Sequence, residues 1–281
     1  MPTSVPPATV PPASVPPASV LSVHAVGGPT AVIEYGGLRL LTDPTFDAPG
    51  DYVPERGLIL SKLAPAGLAA DQVGPVDAVL LSHDQHADNL DTGGRLALAK
   101  APLTVTTPAS AARLGGTARG LAPWESLELA RPAGGPVVVT AVPARHGPEG
   151  CEPVTGDVTG FVLTGPGLPT VYVSGDNASM GNVREIAHRA GPVDTALLFA
   201  GAVRTRLFGG ALLTLDSAQA AEATAVLGAR RAVPLHFNSW MHFTEGAAHL
   251  RVAFEAAGLA DRLVLLAPGE SAVVGPSVQE S

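Results

Sequence analysis

The chain has 281 residues, of which 46% are hydrophobic and only 15% charged, with a formal net charge of -8. That length suits one large domain or two small ones, and that composition excludes a wholly disordered chain or a coiled coil. The acidic balance speaks against holding nucleic acid on a broad basic face, and a single cysteine, Cys151, excludes an internal disulfide.

Residues 2–20, PTSVPPATVPPASVPPASV, nearly repeat Val-Pro-Pro-Ala-Ser/Thr. Proline fixes φ and removes a donor, so 1–20 is expected to be a disordered Pro-rich tail, or else a docking segment for a proline-recognising partner. It has neither the basic start nor the apolar run of a secretory signal or membrane anchor. From residue 21 the pattern turns to short apolar runs broken by Gly, Pro and Asp. Strands are expected at 30–35, 38–42, 78–82, 103–107, 137–142, 159–164, 170–174, 195–199, 232–236 and 263–266, with a tight Gly-Gly hairpin turn between the first two. Helices are expected at 89–99, 108–114, 180–189, 216–227 and 244–257. Asp216 with Gln219 and, at the last helix, Thr244 supply start signals. No linker divides the core, so a single α/β domain over 21–275 is expected, two sheets with helices outside, followed by a flexible end at 276–281.

The densest chemistry is Leu80-Leu-Ser-His-Asp-Gln-His-Ala-Asp-Asn-Leu-Asp91. Two imidazoles and three carboxylates at the end of a buried strand are costly to desolvate unless a cation compensates them. Acidic residues at a helix start are the alternative explanation, with Asp88 or Asn89 as the cap. Three more strands run into such residues: 137–142 into His146, 170–174 into Asp176 and Asn177, and 232–235 into His236. Imidazole with carboxylate suits zinc, manganese or iron.

These residues, in this order, resemble the metallo-β-lactamase superfamily, in the branch of L-ascorbate 6-phosphate lactonase and N-acylphosphatidylethanolamine phospholipase D. The resemblance runs from about His24 to Leu266 and rests on residues 27–44, the 82–91 cluster, Arg145-His146, residues 172–176 and Pro234-Leu-His236. It implies an αββα sandwich with a metal site at one edge. The family's His-x-His-x-Asp-His is not spelled here. Allowing one extra residue aligns His83, His86, Asp88 and Asn89, and matches Leu90-Asp91 as well. The resemblance then implies a first cation on His83, His86 and His146 with Asp176 bridging. A second would lie on Asp88, Asp176 and His236, and be held loosely or not at all, because Asn89 stands where a histidine is expected. Gln85 either points away or offers an oxygen.

The expected function is therefore a zinc- or manganese-dependent hydrolase, with iron as a further option. In it, metal-bound hydroxide attacks a small ester, lactone, amide or phosphoester. Asp88 would orient the water or accept its proton, and His242, with Trp240 and Phe243, would form a wall or a proton donor. Asp43 is read either as a partner that fixes a ligand histidine or as a turn-forming Asp-Pro. Tyr52, Arg56 and Lys62 are candidates for the mouth of the site, Arg204, Arg206 and Phe208 for an anion clamp, and His24 for the site edge. His188 and His249 read as surface, and Cys151 sits in a flexible loop. A degenerate binding protein or a redox-metal enzyme is the competing class, kept open by Asn89. The partner expected is a small molecule, with no nucleic acid and no membrane span, in the cytoplasm, and with self-association into a homo-oligomer left open.

Overall fold

The computed structural model describes residues 21–52 and 59–275. The proline-rich tail, Arg56 and the C-terminal end at 276–281 lie outside them. In chain order the strands are β1 (Ser22–Gly27), β2 (Thr30–Tyr35), β3 (Leu38–Thr42), β4 (Gly50–Tyr52), β5 (Leu60–Lys62), β6 (Ala78–Leu80), β7 (Thr104–Thr106) and β8 (Ala118–Gly120). There follow β9 (Ser126–Leu129), β10 (Val137–Pro143), β11 (Thr159–Thr164), β12 (Val171–Val173), β13 (Thr195–Phe199), β14 (Arg231–Leu235) and β15 (Ser271–Val273). The helices are α1 (Ala70–Val73), α2 (Thr92–Leu98), α3 (Pro108–Leu114), α4 (Glu152–Thr155), α5 (Met180–Ala190), α6 (Ser217–Val226) and α7 (Ala247–Ala256).

Seven strands form one sheet in the order β15-β1-β2-β3-β6-β7-β8, and six form a second in the order β14-β13-β12-β11-β10-β9. Alternating side chains such as Ile33 and Leu40 from the first sheet and Val137, Val139 and Phe161 from the second meet in one buried layer. The other face of the second sheet, with Tyr172 and Leu198, is covered by Val183 and Ile186 of α5, Ala220 of α6 and Leu250 of α7. Val79 and Leu81 on the outside of the first sheet meet Val73 of α1 and Leu98 of α2. The architecture is thus the expected αββα sandwich in a single domain. No helix among the described residues is long and apolar enough to cross a membrane.

Strand direction places the chemistry. Strands β12, β13 and β14 are mutually parallel, and two antiparallel steps through β11 give β10 the same direction. The carboxyl ends of β10, β12 and β14 therefore open at one edge, each delivering one of His146, Asp176 and His236. In the first sheet the parallel pair β3 and β6 delivers Asp43 and His83.

Several expected elements change. Residues 263–266 form no strand; Leu263 makes only an isolated parallel bridge to Ala232, and β15 instead closes the first sheet against β1. Helix α7 begins after Gly246, not at Thr244, whose hydroxyl donates to the Ala202 carbonyl. Helix α2 begins at Thr92 under an Asp91 cap, so neither Asp88 nor Asn89 caps it. The Asp216–Gln219 capping box on α6 is present. So is the two-glycine hairpin, with φ of 63° at Gly36 and 83° at Gly37 as such a turn demands.

Candidate metal centre

The 82–91 segment sorts its acids by partner. Asp84 is taken by the Arg113 guanidinium, which donates to both of its oxygens. Asp91 accepts from the backbone N–H of Phe46, Asp47 and Gly94 and pairs with Lys62. Two of the three carboxylates are thus satisfied by protein groups, and Asp88 alone joins the imidazoles. Gln85 is exposed, with its carboxamide against Gly156, away from the imidazoles.

Two donor sets emerge, His83, His86, His146 and Asp176 in one and Asp88, Asp176 and His236 in the other; within each set the ligand atoms lie within 4.8 Å of one another. Two of the imidazoles, His83 and His146, are oriented from behind. The Ser82 hydroxyl donates to Asp43 Oδ1 at 2.7 Å and lies 2.9 Å from His83 Nδ1. With its hydrogen committed to Asp43, that hydroxyl accepts from Nδ1–H, and His83 Nε2 keeps its lone pair for the site. His146 Nδ1 donates to the Leu213 carbonyl at 2.7 Å, leaving Nε2 3.6 Å from Asp176 Oδ2. His86 turns Nδ1 inward, 2.9 Å from His83 Nε2. The extra residue in the motif therefore does not remove His86 from the cluster.

The backbone is bent to suit. Gly175 precedes Asp176 with φ of 56°, and a Cβ there would come within 2.5 Å of the Thr159 carbonyl and 2.9 Å of Ser82 Cβ. The Asn177 carboxamide oxygen accepts from the backbone N–H of Arg145 and Ser179, locking the His146 and Asp176 loops together. Asp43 and His236 hold positive φ, 27° and 57°, although neither is glycine. Such strain costs of order 1–3 kcal/mol each and gathers at functional sites.

Electrostatics separates the imidazoles. Burial, reinforced by neighbouring imidazoles, pushes His83 down to about 3 and His86 to about 4, so both are neutral near pH 7. Burial alone would raise Asp88 and Asp176, but His236 and its neighbours hold both well below the usual carboxylate range. His236 is raised to about 10, because Asp176 and Asp88 outweigh the burial that would lower it. A proton on His236 thus balances two buried carboxylates in the absence of any other cation. Burial also pushes Asp43 up to about 8 despite its two bonds from Ser82.

Whether this site suits a cation can be judged from its polar atoms. Asp176 Oδ1 and Oδ2 and His236 Nδ1 are buried and make no hydrogen bond, although Oδ1 and Nδ1 stand only 2.9 Å apart. In this dry interior the proton on His236 is the one positive charge set against Asp88 and Asp176, and once it leaves, their converging lone pairs are costly unless a cation accepts them. The donors, imidazole and carboxylate, fit a borderline divalent ion such as zinc.

Other candidates fall elsewhere. His242 Nε2 lies 3.0 Å from Asp88 Oδ2, at the half-open side of the cluster. Lys62 is buried; it donates to the Thr45 carbonyl, pairs with Asp91 and stands over the Trp240 ring, so it is a strut and not part of the mouth. Tyr52 packs on Trp240. Arg204 donates to the Gly210 carbonyl in its own loop, and Arg206 is exposed. His24 faces Glu34 on the β1–β2 face, outside both donor sets. His188 and His249 are exposed on α5 and α7. Cys151 is buried at the start of α4, with Thr155 Oγ1 donating to its sulfur. Ser82, Leu213 and Asn177 carry orienting roles beyond the ligand pattern; of these, Ser82 before His83 and Asn177 after Asp176 were visible in the sequence, and Leu213 was not.

A family model described as a β-lactamase superfamily domain matches residues 38–237. A UPF0173 metal-dependent hydrolase of Pelotomaculum thermopropionicum is 30% identical over 74% of this chain and 86% of its own. Two solved structures share the fold. An isothiocyanate hydrolase from Delia radicum gut bacteria is 22% identical, covers 91% of this chain and 100% of its own, and has a TM-score of 0.76. A possible metal-dependent hydrolase from Veillonella parvula is 17% identical with the same coverages and a TM-score of 0.78.

Proposed function

The chain belongs to the β-lactamase superfamily, among relatives that are metal-dependent hydrolases, and from that premise we propose that it hydrolyses a small ester, lactone, amide or phosphoester at the two donor sets joined by Asp176. The observation that carries this is the convergence of buried, unpartnered Asp176 and His236 atoms with three imidazoles. In this reading His83, His86, His146 and Asp176 hold one divalent cation, and Asp88, Asp176 and His236 approach a second. A cation so held lowers the pKa of water to about 7 and polarises the carbonyl or phosphoryl oxygen.

The protein's own groups supply the rest. In this reading Asp88 orients the attacking water and takes up its proton, and His242, 3.0 Å from Asp88, is the proton donor beside it. Asp43 acts through Ser82 by holding the His83 tautomer. The surrounding aromatic rings of Trp240 and Phe243 exclude bulk water beside His242. Zinc or manganese in the cytoplasm is the setting we favour, with one free cysteine that is buried. The test is a panel of lactones, carboxylic esters, phosphodiesters and an isothiocyanate, assayed before and after chelation. Hydrolysis of one class that falls on chelation and returns with zinc or manganese is expected. Chelation-insensitive turnover of a class, unchanged by His83→Ala, would overturn the reading.

A further inference from the structure

We infer that the two donor sets select different metals, the first a borderline ion of zinc's class and the second a harder, oxygen-preferring ion of manganese's class. The inference rests on the metallo-hydrolase reading above and deepens it, from a site open to either metal to one that holds both at once. The first set offers three imidazoles, those of His83, His86 and His146, and one carboxylate, Asp176; the second offers two carboxylates, Asp88 and Asp176, and one imidazole, His236. Imidazole suits zinc, whereas carboxylate and water suit manganese. Both sets bind zinc more tightly than manganese in absolute terms, so the contrast lies in the margin, wide on three imidazoles and narrow on two carboxylates.

The side chains keep the two sets distinct although they share a residue. Asp176 turns Oδ2 toward the first set, 3.6 Å from His146 Nε2 and 4.0 Å from His83 Nε2, and Oδ1 toward the second, 2.9 Å from His236 Nδ1. One oxygen thus goes to each ion. His236 faces Asp176 with Nδ1 and Asp88 Oδ2 with Nε2, the latter at 3.2 Å, and two nitrogens on opposite sides of one ring cannot reach a single ion. The second set therefore has one nitrogen to give and no more. The other carboxylates of the 82–91 segment add no oxygen to the first set, because Asp84 is held by Arg113 and Asp91 by Lys62. Donor number follows the same division. Four donors complete the tetrahedron that zinc prefers, while three leave positions for the waters that a six-coordinate, oxygen-preferring ion requires.

The experiment gives the metal-free full chain one equivalent of zinc and then an excess of manganese(II). Bound manganese is read by electron paramagnetic resonance, the zinc ligands by X-ray absorption, and both metals by elemental analysis after equilibrium dialysis. One zinc, on three imidazoles, and one manganese per chain are expected. Asp88→His, with folding checked by circular dichroism, turns the second set into two imidazoles and one carboxylate. That variant should refuse manganese and take a second zinc when more zinc is supplied, an exchange that a merely structural role for Asp88 would not produce. Zinc-loaded wild type that takes up no manganese, zinc displaced from the imidazoles by manganese, or a folded Asp88→His protein that takes no second zinc would each overturn the inference while leaving the hydrolase reading in place. Uptake of neither metal by the wild type would sink both.

Discussion

Ser82 shows how a neighbouring residue sets the tautomer of a candidate ligand. Its hydroxyl and backbone N–H both end on Asp43 Oδ1, and the hydroxyl faces His83 Nδ1. Ser82→Ala removes the hydroxyl link and keeps the backbone one, so the fold should survive while the His83 ring loses its orientation. Supporting partners of this type are worth about 10–100-fold in metal affinity. Zinc affinity measured by competition with a chromophoric chelator should fall by that factor, with secondary structure unchanged; an unaltered affinity would show that the relay is idle. Four of the candidate ligands, His83, His146, Asp176 and His236, were legible in the sequence because each sits one to three residues beyond an apolar strand, and His86 and Asp88 because they fall in the same polar cluster as His83. Their support was not, since Leu213 acts through a carbonyl that every residue possesses. The three carboxylates near His83 were legible as residues but not as partners: only the folded chain brings Arg113 to Asp84 and Lys62 to Asp91.

At the level of elements, the short hairpin of β4 and β5 and the start of α2 depend on one carboxylate. Asp91 caps α2 through Gly94 N–H, anchors Phe46 and Asp47, and neutralises a lysine that is only 4% exposed. Replacing one member of a buried ion pair leaves the other uncompensated, a loss of about 3–5 kcal/mol. Asp91→Ala should therefore lower the urea midpoint strongly, and Asp91→Ala combined with Lys62→Met should recover part of that loss; a fall in midpoint no larger than that of a surface substitution would contradict the strut. Long apolar strands such as β10, β11 and β13 were plain in the sequence because their residues alternate or run hydrophobic without interruption. The three-residue strands β4, β5 and β8 carry too few residues for a period, and β15 is a strand only because β1 offers it an edge. Thr244 has the residue type of a helix cap, yet its hydroxyl is drawn to the Ala202 carbonyl, and tertiary pairing wins over the local signal.

For the molecule as a whole, the αββα layers gather the carboxyl ends of strands from both sheets at one edge, and that edge collects the buried charge. The low charged fraction of the chain is the composition of a two-sheet interior, and the residual acids there are matched by imidazoles. The most direct test of this account titrates zinc into metal-free protein at about pH 8 in weak buffer while protons are counted. His83 and His86 are already neutral there, and Asp88 and Asp176 already ionised. His236, raised to about 10, is still protonated and must give up its proton to become a ligand. Saturable uptake is predicted, releasing about two protons per chain, one from His236 and one from a cation-bound water of pKa about 7, and tightening as pH rises toward 10. Both uptake and release should be lost in Asp176→Ala. Zinc that neither saturates the protein nor displaces a proton would contradict a metal centre at this edge.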